Sequence, residues 1–437
     1  MRKEETLLFV GYGPETPDAI RYAKSLGVKT ILTDNIPFEN NPLKNAVDEY
    51  WDIDIYDVPA LIEKSTRNGV TAFYAGSNEP CLDTVQELCK HFDYPFYASK
   101  EGWRGTRDKE YFKQIAEQAG FRIPRSYEVD NALSAEYLSK IEYPVIIKPV
   151  DACASRGISV CNNQNDLIKN FPNALNASKS KRVLVEKYID GEFVGLFLVI
   201  HKGKATLHFC PNMSMLAKNP YDGSYNLYPL GNPNTHQDGW KPIIIATYIS
   251  DLSSVEKKYE GRLEQKINNL VSLLHMQEGV MTLQAIADAE GRLYFFEMGY
   301  RLDGDLLWKI SSLSGDLDQV HISVDYALGR ATPDEEFKKH LPQNKECGGF
   351  GLWLKPGTIS EIRGIDKINE IPGVQLLARR YKAGQTVHTG TRTLADIAFL
   401  VAVTAPDKET FIARVQQTIS MLEVLDTDNN EMLYPLD

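Results

Sequence analysis

"VIIKPVDACASRGISV", Val145–Val160, is a short apolar run that carries a lysine and then opens into small residues. Pro144 and Pro149 bound the run, and proline cannot donate to a strand ladder, so the segment reads as a short buried strand. Strand side chains alternate, which puts Lys148 on the same face as Ile146. An ammonium inside an apolar strand needs anions beside it or must snorkel to water. The mostly small residues from Asp151 to Gly157, among them Ser155 and Arg156, let backbone N–H groups approach phosphate oxygens closely. On this stretch alone two readings stand side by side: a polyphosphate cradle, and a snorkelling lysine next to a surface turn.

Two further stretches bear on the choice. "VLVEKYIDGEFVG", Val183–Gly195, ends a strand in Glu186 and Lys187, passes Ile189 and turns at Gly191 into Glu192. A strand leaving through such a turn can offer backbone N–H and C=O groups to a purine edge, and Glu192 can accept from ribose hydroxyls. A solvated, charged edge strand is the plainer alternative. "GRLYFFEMGYRLDGD", Gly291–Asp305, is an aromatic strand ending in Glu297, with Arg301 four residues on. The preceding strand, 280–288, places Gln284 and Ile286 on one face. A carboxylate at Glu297 suits Mg²⁺, which takes oxygen ligands and bridges to phosphates, and Arg301 suits a developing oxyanion. A buried Glu–Arg pair is the alternative.

Around these stretches the chain alternates strand and helix. Residues 6–34 read as strand, helix and strand, with Thr16 as helix cap, Pro17 in the first turn and Gly27 at the end. A further strand at 71–76 and a helix near 79–91 continue a βαβ pattern. An amphipathic helix spans 106–120, with Phe112, Ile115, Ala116 and Ala119 on one stripe. Residues 193–209 read as a hairpin turning at Lys202-Gly203. The Asn-, Pro-, Gly- and Tyr-rich stretch 211–242 reads as a long ordered loop, the kind that serves as a lid. Leu263, Ile267, Leu270, Val271 and Leu274 mark another helix. Near Gly329–Pro342 the chain turns polar, and from Gly348 short strands with glycine turns lead to a helix at 408–421. The expected domains are 1–105, 106–330 and 331–437.

Composition narrows the function class. The chain has 437 residues, 43% hydrophobic and 24% charged, which is enough for large cores without disulfides. A net charge of −11 argues against a nucleic-acid partner, though a local basic pocket can still take an anion. No apolar stretch approaches the about 20 residues that span a bilayer, and the N-terminus lacks a signal-peptide core. None of the six cysteines forms a C-x-x-C pair, and the expectation is reduced thiols in a cytoplasmic protein. The eight histidines form no H-x-x-x-H pair.

The order of these elements resembles the ATP-grasp superfamily over nearly the whole chain. It looks most like the carboxylate–amine ligase branch, which includes L-amino acid ligases, the purine-synthesis ligases such as phosphoribosylglycinamide synthetase, and biotin carboxylase. The resemblance implies a mixed α/β and α+β architecture: a Rossmann-like pre-ATP-grasp domain, a two-part ATP-grasp core, and a small α+β C-terminal domain. It implies ATP and Mg²⁺ as cofactors. In "TRDKEYF" it makes Lys109 the first phosphate-binding lysine and Lys148 the second. Ala154 to Gly157, with Ser155 and Arg156, become the loop closing over the phosphates. Glu186, Lys187 and Ile189 become the adenine hinge, Glu192 the ribose carboxylate, and Ile146 and Ile286 the walls against the base. Glu297 becomes a Mg²⁺ ligand with Gln284 opposite, and Arg301 the stabiliser of the acyl-phosphate and tetrahedral intermediates. The implied activity joins a small carboxylate to an amine through an acyl phosphate. The implied partners are small molecules, with a homodimer compatible.

The pattern departs from the family at two positions. Gln284 stands where an acidic ligand is usual, and Gly299 where Asn is usual, which makes Asp303 and Asp305 substitute candidates. These departures keep open an inactive, nucleotide-binding relative. A carboxylase or carbamoyl-type enzyme is the other alternative. A dinucleotide site at "VGYGPETPDAI", with Asp34 for the ribose, is disfavoured because Thr16 replaces the third glycine and Pro14 removes an N–H. "GSNEP", 76–80, is instead a candidate substrate loop.

Overall fold

The computed structural model of the chain describes residues 5–35, 43–152, 157–218, 225–229, 243–249, 252–259, 262–304, 307–312, 318–330, 346–388 and 397–434. Its contacts divide the chain into two units. One comprises Met1–Phe96, His208–Asp251 and Leu302–Asp437, and the other Tyr97–Leu207 and Leu252–Arg301.

In the first unit, four parallel strands lie in the order Glu49–Trp51, Lys29–Thr33, Thr6–Val10, Ala72–Tyr74. Every residue of Thr6–Val10 is buried, as expected for a parallel strand covered on both faces. The helix Thr16–Ser25 follows, with Pro17 in its first turn, but Glu15, not Thr16, is its N-cap residue. The Thr16 hydroxyl instead accepts from the Gly13 N–H at 2.8 Å and closes the preceding turn. The helix Glu79–Phe92 lies where the sequence placed one.

The same unit carries an antiparallel sheet ordered Ile243–Ile249, Glu346–Leu352, Phe399–Ala405, Val374–Arg379. The helix Lys408–Met421 packs Phe411 and Val415 onto Phe399, Val401 and Val403. The stretch 211–242, read from sequence as a loop, is partly strand. Lys204–Lys218 pairs antiparallel with Ile243–Ile249 from Cys210 to Leu216, and Tyr225–Pro229 pairs on its other side. The β-branched run at 243–245 supplies a partner whose ladder outweighs the turn-forming composition. Residues 219–224 and 230–242 lie outside the described residues, as do 331–345 at the expected boundary.

The second unit holds two antiparallel sheets. One is ordered Ser126–Tyr127, Val183–Lys187, Val145–Pro149, Ser159–Cys161. The other includes Leu293–Gly299, Glu278–Ala287 and Glu192–His201. The hairpin turns at Lys202 and Gly203, both with positive φ, the geometry of the tight turn that suits strand twist. The expected helix over 106–120 is two helices, Lys100–Arg107 and Lys109–Gln118, broken by the extended residue Asp108.

Alternation splits the first of these sheets cleanly. Val145, Ile147, Cys161 and Val185 face the helix Gln164–Ala177 and pack with Leu167, Phe171 and Ala174. Ile146, Lys148 and Glu186 face the other way, with Ile146 directly opposite Glu186. Ile147 is fully buried. Ile147→Ala is therefore expected to cost about 2–5 kcal/mol, read as a lowered denaturant midpoint at unchanged slope. Ile146→Ala, on the opposite face, is expected to move that midpoint far less.

Candidate nucleotide site

The break at Asp108 aims two lysines. The Asp108 carboxylate accepts from the N–H groups of Glu110 and Tyr111 at 3.0 and 3.1 Å, so it caps a fresh helix. Arg182 holds the same carboxylate at 2.9 Å. Lys109 and Lys113 then sit four residues apart, hence on one face of that helix. Both are buried.

Each lysine meets a carboxylate from a different sheet. Lys109 Nζ lies 3.0 Å from Glu297 Oε1 and donates to the Ala152 carbonyl at 2.8 Å. Lys113 Nζ bonds Glu186 Oε1, and Lys148 Nζ lies 2.9 Å from Glu186 Oε2. Glu186 is only 1% exposed, so its charge is stabilised by these two ammonium groups rather than by water. Lys148 also stands 5.3 Å from the centre of the Phe296 ring. Three ammonium groups thus face two carboxylates, which leaves one net positive charge when all are ionised.

Glu297 reaches this cluster through a β-bulge. Opposite Leu293–Gly299, the register runs Ala285 to Phe295 and then Gln284 to Glu297, so Phe296 is the extra residue. Without it, alternation would turn Glu297 to the packed side with Leu293 and Phe295. With it, Glu297 joins Tyr294 on the face shared by Gln284 and Ile286, and Met298 takes the buried side. The strand does not end at Glu297, as the sequence suggested, but continues to Gly299.

Burial shapes the titration of the two lysines that share Glu186. It pushes the Lys148 ammonium down to about 7, with the Glu297 carboxylate opposing and Lys109 adding to the shift. Burial likewise pushes Lys113 down to about 6, helped by the like charge of Lys148. Just past the lysine strand, Asp151 accepts from the Ser178 hydroxyl and from the N–H groups of Lys179 and Ser180, which anchors the start of the small-residue loop. At its far end Gly157 has φ +74°, and a Cβ there would lie 2.8 Å from the Ala177 methyl and 2.9 Å from Pro149, so only glycine fits. Ser155 and Arg156 lie outside the described residues.

The other sequence candidates are placed as follows. The Lys187 side chain turns away from Glu186 and donates to the Glu142 and Tyr143 carbonyls, both at 3.2 Å, leaving its backbone to any hinge. Ile189 is half-buried just beyond the strand. Glu192 begins its strand opposite Ala287 and pairs with Lys258 at 3.0 Å. Ile286 lies two residues from Gln284, opposite Phe193, which is 43% exposed. The Arg301 guanidinium folds back toward Gly299, whose built Cβ would lie 3.8 Å from Cζ. Asp303 accepts from the Trp308 N–H at 3.2 Å, and Asp305 lies outside the described residues.

Two participants escaped the sequence reading. Lys113 sits beside the apolar stripe of its helix and reads there as a snorkelling residue. Its spacing of four from Lys109 was the available signal. Phe296 escaped because a bulge leaves no mark in an aromatic run.

The donor set fits a hard cation. Glu297 and Gln284 face each other across the strand pair, one carboxylate and one amide carbonyl, and Mg²⁺ is commonly held by one or two carboxylates together with substrate phosphates. Among the described residues no group of three or more His, Cys, Asp or Glu could hold a metal unaided. Among them too, no helix is long and apolar enough to cross a membrane.

Residues 108–193, from the cap of the lysine helix to just past Glu192, match the family model of the carbamoyl-phosphate synthase L chain ATP-binding domain. The carbamoyl phosphate synthase large chain of Thermoanaerobacter sp. (strain X514) is 22% identical over 326 residues, 73% of this chain and 27% of that protein. The formate-dependent phosphoribosylglycinamide formyltransferase of Methanococcus vannielii is 25% identical over 235 residues, 52% of this chain and 59% of that one. This chain therefore spans between about a quarter and three-fifths of the length of these curated relatives. The crystal structure of L-amino acid ligase from Bacillus licheniformis superposes with a TM-score of 0.73 at 14% identity, covering 98% of this chain and all of that one. The chain thus shares the mixed α/β fold of that ligase.

Proposed function

We propose that the protein is an ATP-dependent ligase that activates a small carboxylate as an acyl phosphate and joins it to an amine. The observation that carries this reading is the set of buried Lys109, Lys113, Lys148 and Glu186 with the half-buried Glu297. A cationic cluster drawn from one helix and two sheets is suited to a polyphosphate, whose negative charge it would neutralise. The apolar residues Ile146 and Ile286 are assigned to the base, the backbone of Glu186 to Ile189 to its polar edge, and Glu192 to the ribose.

A carboxylate acylates poorly because its leaving group is oxide. Phosphoryl transfer replaces that leaving group with phosphate, and an amine can then attack. In this reading Lys109 and Lys148 hold the phosphates in line, and Arg301 stabilises the oxyanion that develops at the carboxyl carbon. Mg²⁺, held by Glu297 with Gln284, would supply charge neutralisation on the transferring phosphoryl group. Small molecules would be the partners, and a soluble cytoplasmic protein is the setting we infer. Bicarbonate, which the similar biotin carboxylase domain of Hydrogenobacter thermophilus 2-oxoglutarate carboxylase binds, belongs in the set of candidate acids.

ADP and phosphate release on a panel of amino acids, small acids including bicarbonate, and amines, with Mg²⁺, tests this. One substrate pair is expected to stimulate release, and Glu297→Ala is expected to lower it by about 100-fold or more. ATP binding with no stimulation by any pair would favour a non-enzymatic nucleotide-binding protein, for which Gln284 and Gly299 would be the reason.

A second expectation concerns pH. The triphosphate favours protonated lysines, and Lys148 releases its proton near 7 in the free protein. Affinity should therefore be highest below that value and fall as pH rises through it, by at most about tenfold per pH unit per proton. Calorimetric titration with ADP and Mg²⁺ between about pH 6 and 8 measures this, and Lys148→Met is expected to flatten the profile.

A further inference from the structure

We infer that Lys113 is a positioning residue of the nucleotide site: through Glu186 it fixes the ammonium of Lys148 where phosphate is bound. The inference rests on the nucleotide reading of this cluster. None of the sequence motifs includes Lys113, and it extends that reading by one residue and one function.

The geometry is a relay. Lys113 takes Oε1 of Glu186 and Lys148 takes Oε2, so one buried carboxylate is gripped at both oxygens. A carboxylate bonded on one side only could swing about its last torsion, which has a broad, two-fold profile. Lys113 removes that freedom. Its own ammonium is placed by the helix, which begins at the Asp108 cap, and by the Ser126 hydroxyl at 3.4 Å on the strand next to Glu186. Lys148 in turn is presented from the neighbouring strand, where Leu184 is its direct partner. Phosphate contact is left to Lys148 and Lys109, and Lys113 acts one step behind them.

Charge gives the relay a second effect. Lys148 faces Lys109, Lys113, Glu186 and Glu297 and lies over the Phe296 ring, whereas Lys113 faces Lys148, Glu186 and, on its own helix, Glu110 and Glu117. Lys113 shares the only carboxylate that Lys148 touches directly among these groups. Removing the Lys113 charge gives all of Glu186 to Lys148. Lys148 is then drawn toward that carboxylate and away from the phosphate position, which weakens binding, and it holds its proton to higher pH, which moves the pH-dependent fall upward.

Binding of ADP with Mg²⁺, titrated calorimetrically across pH, tests this with Lys113→Met and Lys113→Arg. Lys113→Met is expected to weaken binding about tenfold or more and to move the pH-dependent fall upward, while Lys113→Arg, which keeps the charge, recovers most of the affinity. A purely structural lysine would lower thermal stability without moving the pH profile. Should Lys113→Met not fold, the double variant K113M/E186Q removes both charges and keeps the net charge of the cluster. It too is expected to bind about tenfold more weakly, because Lys148 has lost its anchor. Wild-type affinity and an unmoved profile in Lys113→Met, or wild-type affinity in the double variant, would overturn the inference. Wild-type protein that binds no nucleotide would overturn the site reading as well, which separates the two failures.

Discussion

Glu186 is the constraint on which the second unit turns. An isolated carboxylate at 1% exposure would cost several kcal/mol of desolvation. The cost is offset only if cations arrive from neighbouring elements. Lys113 arrives from a helix and Lys148 from the neighbouring strand of the same sheet. Truncating one partner of such a group typically costs about 3–5 kcal/mol, because the other charge stays buried. The set therefore ties helix to sheet by charge where apolar packing would serve most proteins. It also keeps polar groups clear of the opposite face, where Val145, Ile147 and Val185 pack on their helix without interruption.

Two small irregularities convert that constraint into a site. The extended residue Asp108 ends one helix and caps the next, and its φ of −130° is what turns Lys109 inward. The bulge at Phe296 moves Glu297 from the packed side of its strand to the open side. Neither changes the fold, and a continuous helix or a regular strand would still form a unit. Without them, however, Lys109 and Glu297 would not meet at 3.0 Å. Bulges and helix breaks of this kind are commonly retained beside functional centres because they re-aim side chains.

Much of this was legible in the sequence, and the reason is periodicity. Strands such as Val145–Pro149 and Val183–Lys187 announce themselves by apolar runs between prolines and turns, and alternation alone put Ile146 with Lys148. Lys148, Glu186 and Glu297 were visible because a charge in an apolar run is costly and demands a partner. What stayed hidden was the identity of the partners. Lys148 pairs with Glu186, 38 positions away, and nothing in either stretch announces that pairing. Long-range pairing leaves no local trace. The same limit explains residues 211–216, where composition spoke for a loop and a strand partner at 243–249 decided otherwise.

The neutral amide of Gln284 bears on the charge of this cluster. A carboxylate at that position would face Glu297 directly across the strands. Two carboxylates there would cancel the single positive charge left by three lysines and two glutamates, and a bound cation would be needed to restore it. With the amide, the positive charge belongs to the lysines themselves. On the proposed reading, attraction for a nucleotide then depends less on the metal and more on the protonation of Lys148 and Lys113, whose ammonium groups burial already brings to about 7 and about 6. On the same reading, nucleotide affinity responds to pH in the physiological range.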